Sequence, residues 1–156
     1  MLNILVVAVG NNMPPWVDQA WDEYSKRLRG TVRVELREIN AVKRGKQVDI
    51  NKVVKEEETR INAAVENRDR VIALDRRGKS VSTTDLAQQM TDWMQHGPRV
   101  ALVIGGPEGL STQFLENCQA TWSLSAMTFA HPVARVVLAE QLYRGYSIIQ
   151  GLPYHR

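Results

Sequence analysis

The chain has 156 residues, 44% of them hydrophobic, with a formal net charge of +3 and a single cysteine. That length and apolar content predict one domain, residues 1–156, with a substantial core, because a two-domain division would leave pieces of marginal size. Lone Cys118 excludes an internal disulfide, no apolar run approaches the roughly 20 residues that cross a bilayer, and Leu2–Val9 lacks the basic flank and length of a secretion signal, so a cytoplasmic protein with no membrane partner is expected.

Leu2 to Val9 is a continuous apolar run, the pattern of a strand buried on both faces; it ends at Gly10, and Asn11 to Pro15 supply turn and helix-start chemistry. A helix is predicted from about Pro15 to Leu28, with Trp16, Ala20, Tyr24 and Leu28 as its apolar face and Asp18, Asp22 and Glu23 outward. Thr31 to Ile39 alternates, with Val32, Val34 and Leu36 on one side and Arg33, Glu35 and Arg37 on the other, as a half-exposed strand near a sheet edge does. Asn40 to Val48 carries Lys43-Arg44-Gly45-Lys46, a basic loop ahead of Asp49, which can cap a helix reaching about Asn67. Residues 26–46 hold eight basic side chains against Glu35 and Glu38, so the positive surplus is local and points Lys43, Arg44 and Lys46 toward RNA phosphate, the alternative being a solvated loop. Arg70 to Asp75 is a further apolar strand, and Arg76-Arg77-Gly78-Lys79 after it is a second basic loop at a strand's carboxyl end. Ser82 and Asp85 have capping-box spacing ahead of a helix from about Thr83 to His96, ended by Gly97-Pro98, with Leu86, Met90, Trp93 and Met94 as its buried stripe and His96 against its C-terminus.

Val100 to Ile104 is a buried strand that stops at Gly105-Gly106-Pro107-Glu108-Gly109, a turn in which glycine permits close backbone approach, and Ser111 can cap a short helix from Thr112 to about Cys118. Thr121 to Ser125 makes a fifth strand; Leu124 to Phe129 is small, apolar and uncharged, suited to a planar uncharged group rather than to phosphate or metal. The last helix, about Pro132 to Gln150, spreads Val133, Val136, Val137, Ala139, Leu142, Tyr143, Tyr146 and Ile149 over more than one face, which asks for two partners: its own sheet and a second subunit in a two-fold dimer. Alternating strands and helices predict an α/β single-domain fold with a mainly parallel sheet and helices on both faces. The first strand turn lacks GxGxxG and no GxxxxGK[ST] is present, so dinucleotide and P-loop readings lose support.

IGGPEGL, LSAMTFAHP, RVVLAEQLYRGYSI and the terminal YHR, together with VAVG near the start and KRGK in the middle, resemble the ribosomal RNA large-subunit methyltransferase H family, a SPOUT class. The resemblance implies a C-terminal trefoil (α/β) knot and a homodimer with each site completed across the interface. It also implies transfer of a methyl group from S-adenosylmethionine to N3 of a pseudouridine in large-subunit ribosomal RNA, an RNA expected within the ribosome, with free RNA, isolated large subunit and complete ribosome all open as the substrate. By the same carry-over Leu74, Gly105, Leu124, Ser125, Ala126, Met127, Thr128 and Phe129 line the cofactor pocket. Methyl transfer from a sulfonium to a ring nitrogen needs no metal; it needs alignment and a deprotonated nitrogen, for which His131, His155, Glu140, Arg144 and Arg156 are candidates. His131, before a proline, suits a loop-orienting role, and Glu140 and Arg144 have the spacing of a helical ion pair. Tyr154-His155-Arg156 offers stacking, a titratable ring and a guanidinium, and the family's similar terminus implies a catalytic set of His155, Tyr154, Arg144 and Arg156, with RNA contacts at Lys43, Arg44, Lys46, Arg76 and Arg77. A noncatalytic RNA-binding module, without need of the pocket, and a small-molecule α/β enzyme, without need of RNA, remain the alternatives, and the general base stays open.

Overall fold

The computed structural model describes residues 1–156 as five strands and five helices in strict alternation: β1 Leu2–Val9, α1 Pro15–Ser25, β2 Val32–Ile39, α2 Ile50–Val65, β3 Arg70–Ser80, α3 Thr83–His96, β4 Val100–Ile104, α4 Thr112–Asn117, β5 Ala120–Ser123 and α5 His131–Ile149. The strands form one parallel sheet in the order β2-β1-β4-β3-β5, which bears out the predicted α/β architecture. Period-two alternation divides the central strands between two cores. Ile4, Val6 and Ala8 of β1 and Val100, Leu102 and Ile104 of β4 join Trp21 of α1, Met90 and Trp93 of α3 and Leu138 and Leu142 of α5. Leu5, Val7, Val9, Ala101 and Val103 join Ile61 and Val65 of α2 and Phe114 of α4 on the other face. All five residues of β4 are buried, while β2, at the edge, keeps the half-exposed alternation its sequence predicts.

Local chemistry sets most boundaries. Asp49 accepts the Asn51 N–H at 3.0 Å and caps α2. Ser82 and Asp85 form a complete capping box on α3, and Gly97, at φ 68°, closes it in the left-handed conformation. Three expectations are corrected. Helix α1 ends at Ser25 rather than Leu28, and Trp16 is 52% exposed. Its buried face is Val17 and Trp21, with Tyr24 and Leu28 packed beside them, because a strict four-residue step drifts about 40° per turn from the 3.6-residue period. The stretch Arg76–Lys79 is strand rather than loop: β3 runs to Ser80, with a register break between Leu74 and Lys79 where it pairs with β5. Gly78 makes this possible, since a Cβ there would meet the Thr121 carbonyl at 2.5 Å.

All five strands end on the same side of the sheet. The connection from β3 passes through α3 on one face and that from β4 through α4 on the other, so a crevice opens beyond their carboxyl ends, the place where such sheets bind ligands.

Candidate active site

That crevice is a cleft of about 710 Å³ lined by the ends of β3 and β4, the Gly105–Gly109 turn and the 123–130 segment. Of the predicted cofactor residues, Leu74, Gly105, Leu124, Ser125, Met127, Thr128 and Phe129 border it, whereas Ala126 does not. The turn is closed by the Gly109 N–H bonding the Gly106 carbonyl at 2.9 Å, with Gly109 at φ 74°. Gly105 lies under Leu110, whose Cγ would sit 2.9 Å from an added Cβ. The apolar segment is held by its own serines: Ser123 donates to the Ser125 carbonyl at 2.8 Å, and the Ser125 hydroxyl accepts the Met127 N–H at 3.0 Å. This segment is therefore fixed by backbone and small polar groups and presents an uncharged strip, while Asp75, Arg76, Arg77 and Glu108 line other parts of the cleft.

A set of buried charges positions the turn from behind. Helix α2 places Val53, Glu57, Ile61 and Val65 at four-residue spacing on its inner stripe, so the carboxylate of Glu57, 2% exposed, points into the fold. It accepts the Val42 N–H at 3.0 Å and the Arg44 guanidinium at 3.2 and 3.3 Å, and Arg44 reaches on to Glu108 of the turn at 3.3 Å. The next residue, Glu58, accepts the Ser111 N–H at 2.6 Å and its hydroxyl at 2.7 Å. Arg77 plays the matching part on the other wall: Asp75 grips it at 2.8 and 2.9 Å while its Nη2 donates to the Leu110 carbonyl at 2.6 Å. Arg77 beside it holds the Asp75 carboxyl below the usual carboxylate range. Of the five basic residues predicted to meet RNA, then, Arg44, half-buried, and Arg77, exposed, are engaged in holding the turn and its flank, while Lys43, Lys46 and Arg76 are exposed and unpaired.

The predicted catalytic residues gather elsewhere. Arg144 and Glu140 form the expected ion pair at 2.6 Å on α5. The terminal segment turns back at Gly151 and lays Tyr154 against that pair: its hydroxyl donates to Glu140 at 3.2 Å, its ring meets Tyr143 edge-on at 4.7 Å, and the Arg144 guanidinium lies 4.8 Å from its centroid. Tyr154 is thus packed, not held out for an exposed base as its sequence context suggests, and burial and then Glu140 push its phenol up to about 12. It is a donor, not a base, at neutral pH. Arg144 Nη1 lies 3.4 Å from His155 Nδ1, and because arginine only donates, Nδ1 is the acceptor. Arg156 is exposed.

His131 lies at the cleft, half-buried, with burial and then Arg135 and Arg44 holding its pKa below the ordinary value. Arg135, fully buried, donates to Glu38 at 2.6 Å and to the Gly10 carbonyl at 3.2 Å, tying the start of α5 to the ends of β1 and β2. Sequence reasoning misses Glu57, Glu58, Asp75, Glu38 and Arg135. The legible signal for Glu57 is a carboxylate in the middle of an otherwise apolar helical stripe; Arg135, between His131 and Leu138 on α5, is its cationic counterpart.

A family model described as "Predicted SPOUT methyltransferase" matches residues 2–155. The ribosomal RNA large subunit methyltransferase H of Thioalkalivibrio sulfidiphilus is 44% identical over 155 residues, covering 99% of each chain. That of Marinomonas sp. is 43% identical, covering 99% of this chain and all of the relative. Among solved structures, a probable methylase family protein from Haemophilus influenzae is similar at TM-score 0.60 and 14% identity, over 99% of this chain and 71% of the other. A probable methyltransferase from Bordetella pertussis is similar at TM-score 0.58 and 14% identity, over 92% of this chain and 96% of the other. These structural likenesses concern the fold.

Proposed function

The chain belongs to the SPOUT methyltransferase family and is a ribosomal RNA methyltransferase, and from that premise we propose that it transfers a methyl group from S-adenosylmethionine to N3 of a pseudouridine in large-subunit ribosomal RNA. The observation that carries the donor assignment is the cleft itself: a glycine turn that a single Cβ would fill, facing an uncharged strip whose polar groups are backbone and serine. Such walls fit an adenosine and offer no phosphate cradle; the 156 residues hold no cluster of acidic, histidine or cysteine side chains that could take a metal. Leu74, Gly105, Leu124, Ser125, Met127, Thr128 and Phe129 hold the donor, and Ala126 belongs to the same segment without bordering the cleft.

When bound, the donor supplies an electrophilic methyl on a sulfonium, and the protein's task is to align the ring nitrogen and favour its anion. Arg144 and Arg156 provide a cationic surface that stabilises an anionic ring, with the His155 imidazole held beside Arg144, while Tyr154, a neutral phenol bonded to Glu140, holds that surface in place. Lys43, Lys46 and Arg76 meet phosphate, while Arg44 holds the loop that carries the two lysines and Arg77 ties the end of β3 that carries Arg76 to Leu110.

This reading needs two copies. His131, at the cleft, and Glu140 are nine residues apart on α5, which puts them about 14 Å apart along the axis and on opposite sides of the helix. Reacting atoms must come within about 3–3.5 Å, so one chain's tail serves its partner's cleft in a homodimer. The outward stripe of α5, with Val133 38% exposed and Val136, Val137, Glu140 and Arg144 along the same side, supports this face as the interface. The chain is one methyltransferase domain over residues 1–156, knotted in its C-terminal half. Supporting the knot, β3 breaks register between Leu74 and Lys79, lays Gly78 on the β5 backbone and ends level with β5 at Ser80 and Ser123, and the chain then returns from that sheet edge to Gly10 at the end of β1. Incubation with methyl-labelled S-adenosylmethionine and free ribosomal RNA, isolated large subunits or complete ribosomes tests the assignment. Label on N3 of a pseudouridine in large-subunit RNA, mapped by nuclease digestion and mass spectrometry, is expected from the assembled substrates. Absence of label in all three substrates rejects it.

A further inference from the structure

His131 opens α5 and borders the cleft. Its Nδ1 is sealed from solvent and has no hydrogen-bond partner. Nδ1 and Cε1 face Gly10, where a Cβ would come within 3.7 and 3.3 Å of them, so no donor or acceptor side chain stands there. Nε2 also bonds nothing within the chain, but it is not sealed, and it is the polar atom the ring offers to the cleft.

A neutral imidazole carries one N–H, and its surroundings decide which nitrogen holds it. An N–H sealed against Gly10 loses its hydration with nothing in return, whereas an unpaired acceptor in the same place is better tolerated. The single proton therefore belongs on Nε2. A second proton would have to sit on the sealed Nδ1, in the field of the cations Arg135 and Arg44; the carboxylates that could compensate, Glu38 and Glu57, are already taken by those two arginines.

We propose that His131 is a neutral hydrogen-bond donor, presenting Nε2–H to an acceptor oxygen of a ligand in the cleft, and not a base. The oxygen is either the uracil carbonyl beside N3, where negative charge gathers as the proton leaves, or a ribose or carboxylate oxygen of S-adenosylmethionine. This rests on the methyltransferase reading of the cleft.

The tautomer is read on the protein alone by 15N-edited NMR of the imidazole at neutral pH. A protonated Nε2 with a bare Nδ1 is expected; an Nδ1–H tautomer or an imidazolium overturns the proposal. Substitution separates the nitrogens in function, because glutamine carries its amide N–H near the place of Nε2 and asparagine near that of Nδ1. His131→Gln is expected to keep most of the wild-type kcat/KM, and His131→Asn and His131→Ala to lose about 100- to 1,000-fold, the range for one donor to a charge-bearing oxygen. Calorimetric titration with S-adenosylmethionine identifies the oxygen: an equal loss of affinity assigns it to the donor, and unchanged affinity with reduced kcat assigns it to the uracil. Asparagine performing as well as glutamine, or alanine turning over like wild type, rejects the idea. Failure of the wild type itself to transfer a methyl group strikes the reading of the cleft, while the NMR result still judges His131.

Discussion

Gly105 stands where the end of β4 runs beneath Leu110, and an added Cβ would lie 2.9 Å from Leu110 Cγ and 3.1 Å from the Gly109 carbonyl carbon. A branched side chain must push Leu110 and the turn outward into the cleft. Overpacking of this kind costs about 1–3 kcal/mol, and here the displaced atoms are the wall of the proposed donor site. Gly105→Val is expected to lower affinity for S-adenosylmethionine by about tenfold or more, in line with that cost, while circular dichroism shows the helices intact. Unchanged affinity in the folded variant would remove Gly105 from the donor site. Gly105 and the Ser111 cap were legible in the sequence because each answers a demand of the backbone within a few residues. The partners of Glu57, Glu58 and Arg135 were not, because they lie far along the chain: Ser111 is 53 residues from Glu58, and Glu38 is 97 from Arg135. A run such as Lys55-Glu56-Glu57-Glu58 reads as a solvated face until the fold supplies those partners.

Among the elements, α3 and β3 show where sequence reading holds and where it stops. Helix α3 begins and ends where predicted because a capping box and a left-handed glycine are local devices. Strand β3 outruns its apolar segment because Arg76–Ser80 are held by pairing with β5 and by the Asp75–Arg77 grip, neither visible in a basic, glycine-containing stretch. That grip predicts a pH dependence. Arg77 holds the Asp75 carboxyl below its ordinary 3.8. The stabilisation is therefore fully present above that value and is lost as pH falls through the lower folded value. Asp75→Asn removes the charge at every pH. The thermal-stability gap between wild type and this variant is expected to be constant from neutral pH down to about pH 5 and to narrow only in stronger acid. A gap that closes between neutrality and about pH 5 would show that another group governs the β3 wall.

For the molecule as a whole, α5 poses the geometric problem that the sequence could only hint at through its two apolar faces. Its inner side, Arg135, Leu138, Leu142 and Tyr146, packs on the sheet and neighbouring helices, while Glu140, Arg144 and the docked Tyr154 lie on the side away from His131. A cleft at one end and a cationic surface halfway along the opposite side cannot meet in one chain without unfolding the helix between them. They meet if two copies pack so that each tail reaches the other's cleft, an isologous arrangement. Assayed at S-adenosylmethionine well below the level that the Gly105→Val cleft can bind, two variants silent on their own then rescue each other. Gly105→Val spoils the cleft and leaves the tail; removal of His155 and Arg156 spoils the tail, leaves the cleft and spares Tyr154, which is part of the packing. In a mixture allowed to exchange subunits, half of the dimers are mixed, and each mixed dimer holds one intact cleft facing one intact tail. Activity is therefore expected to recover to about a quarter of the wild-type value per subunit. If cleft and tail act within one chain, every site in the mixture carries one of the two lesions and no recovery occurs, so the rate after mixing decides between a shared site and a private one.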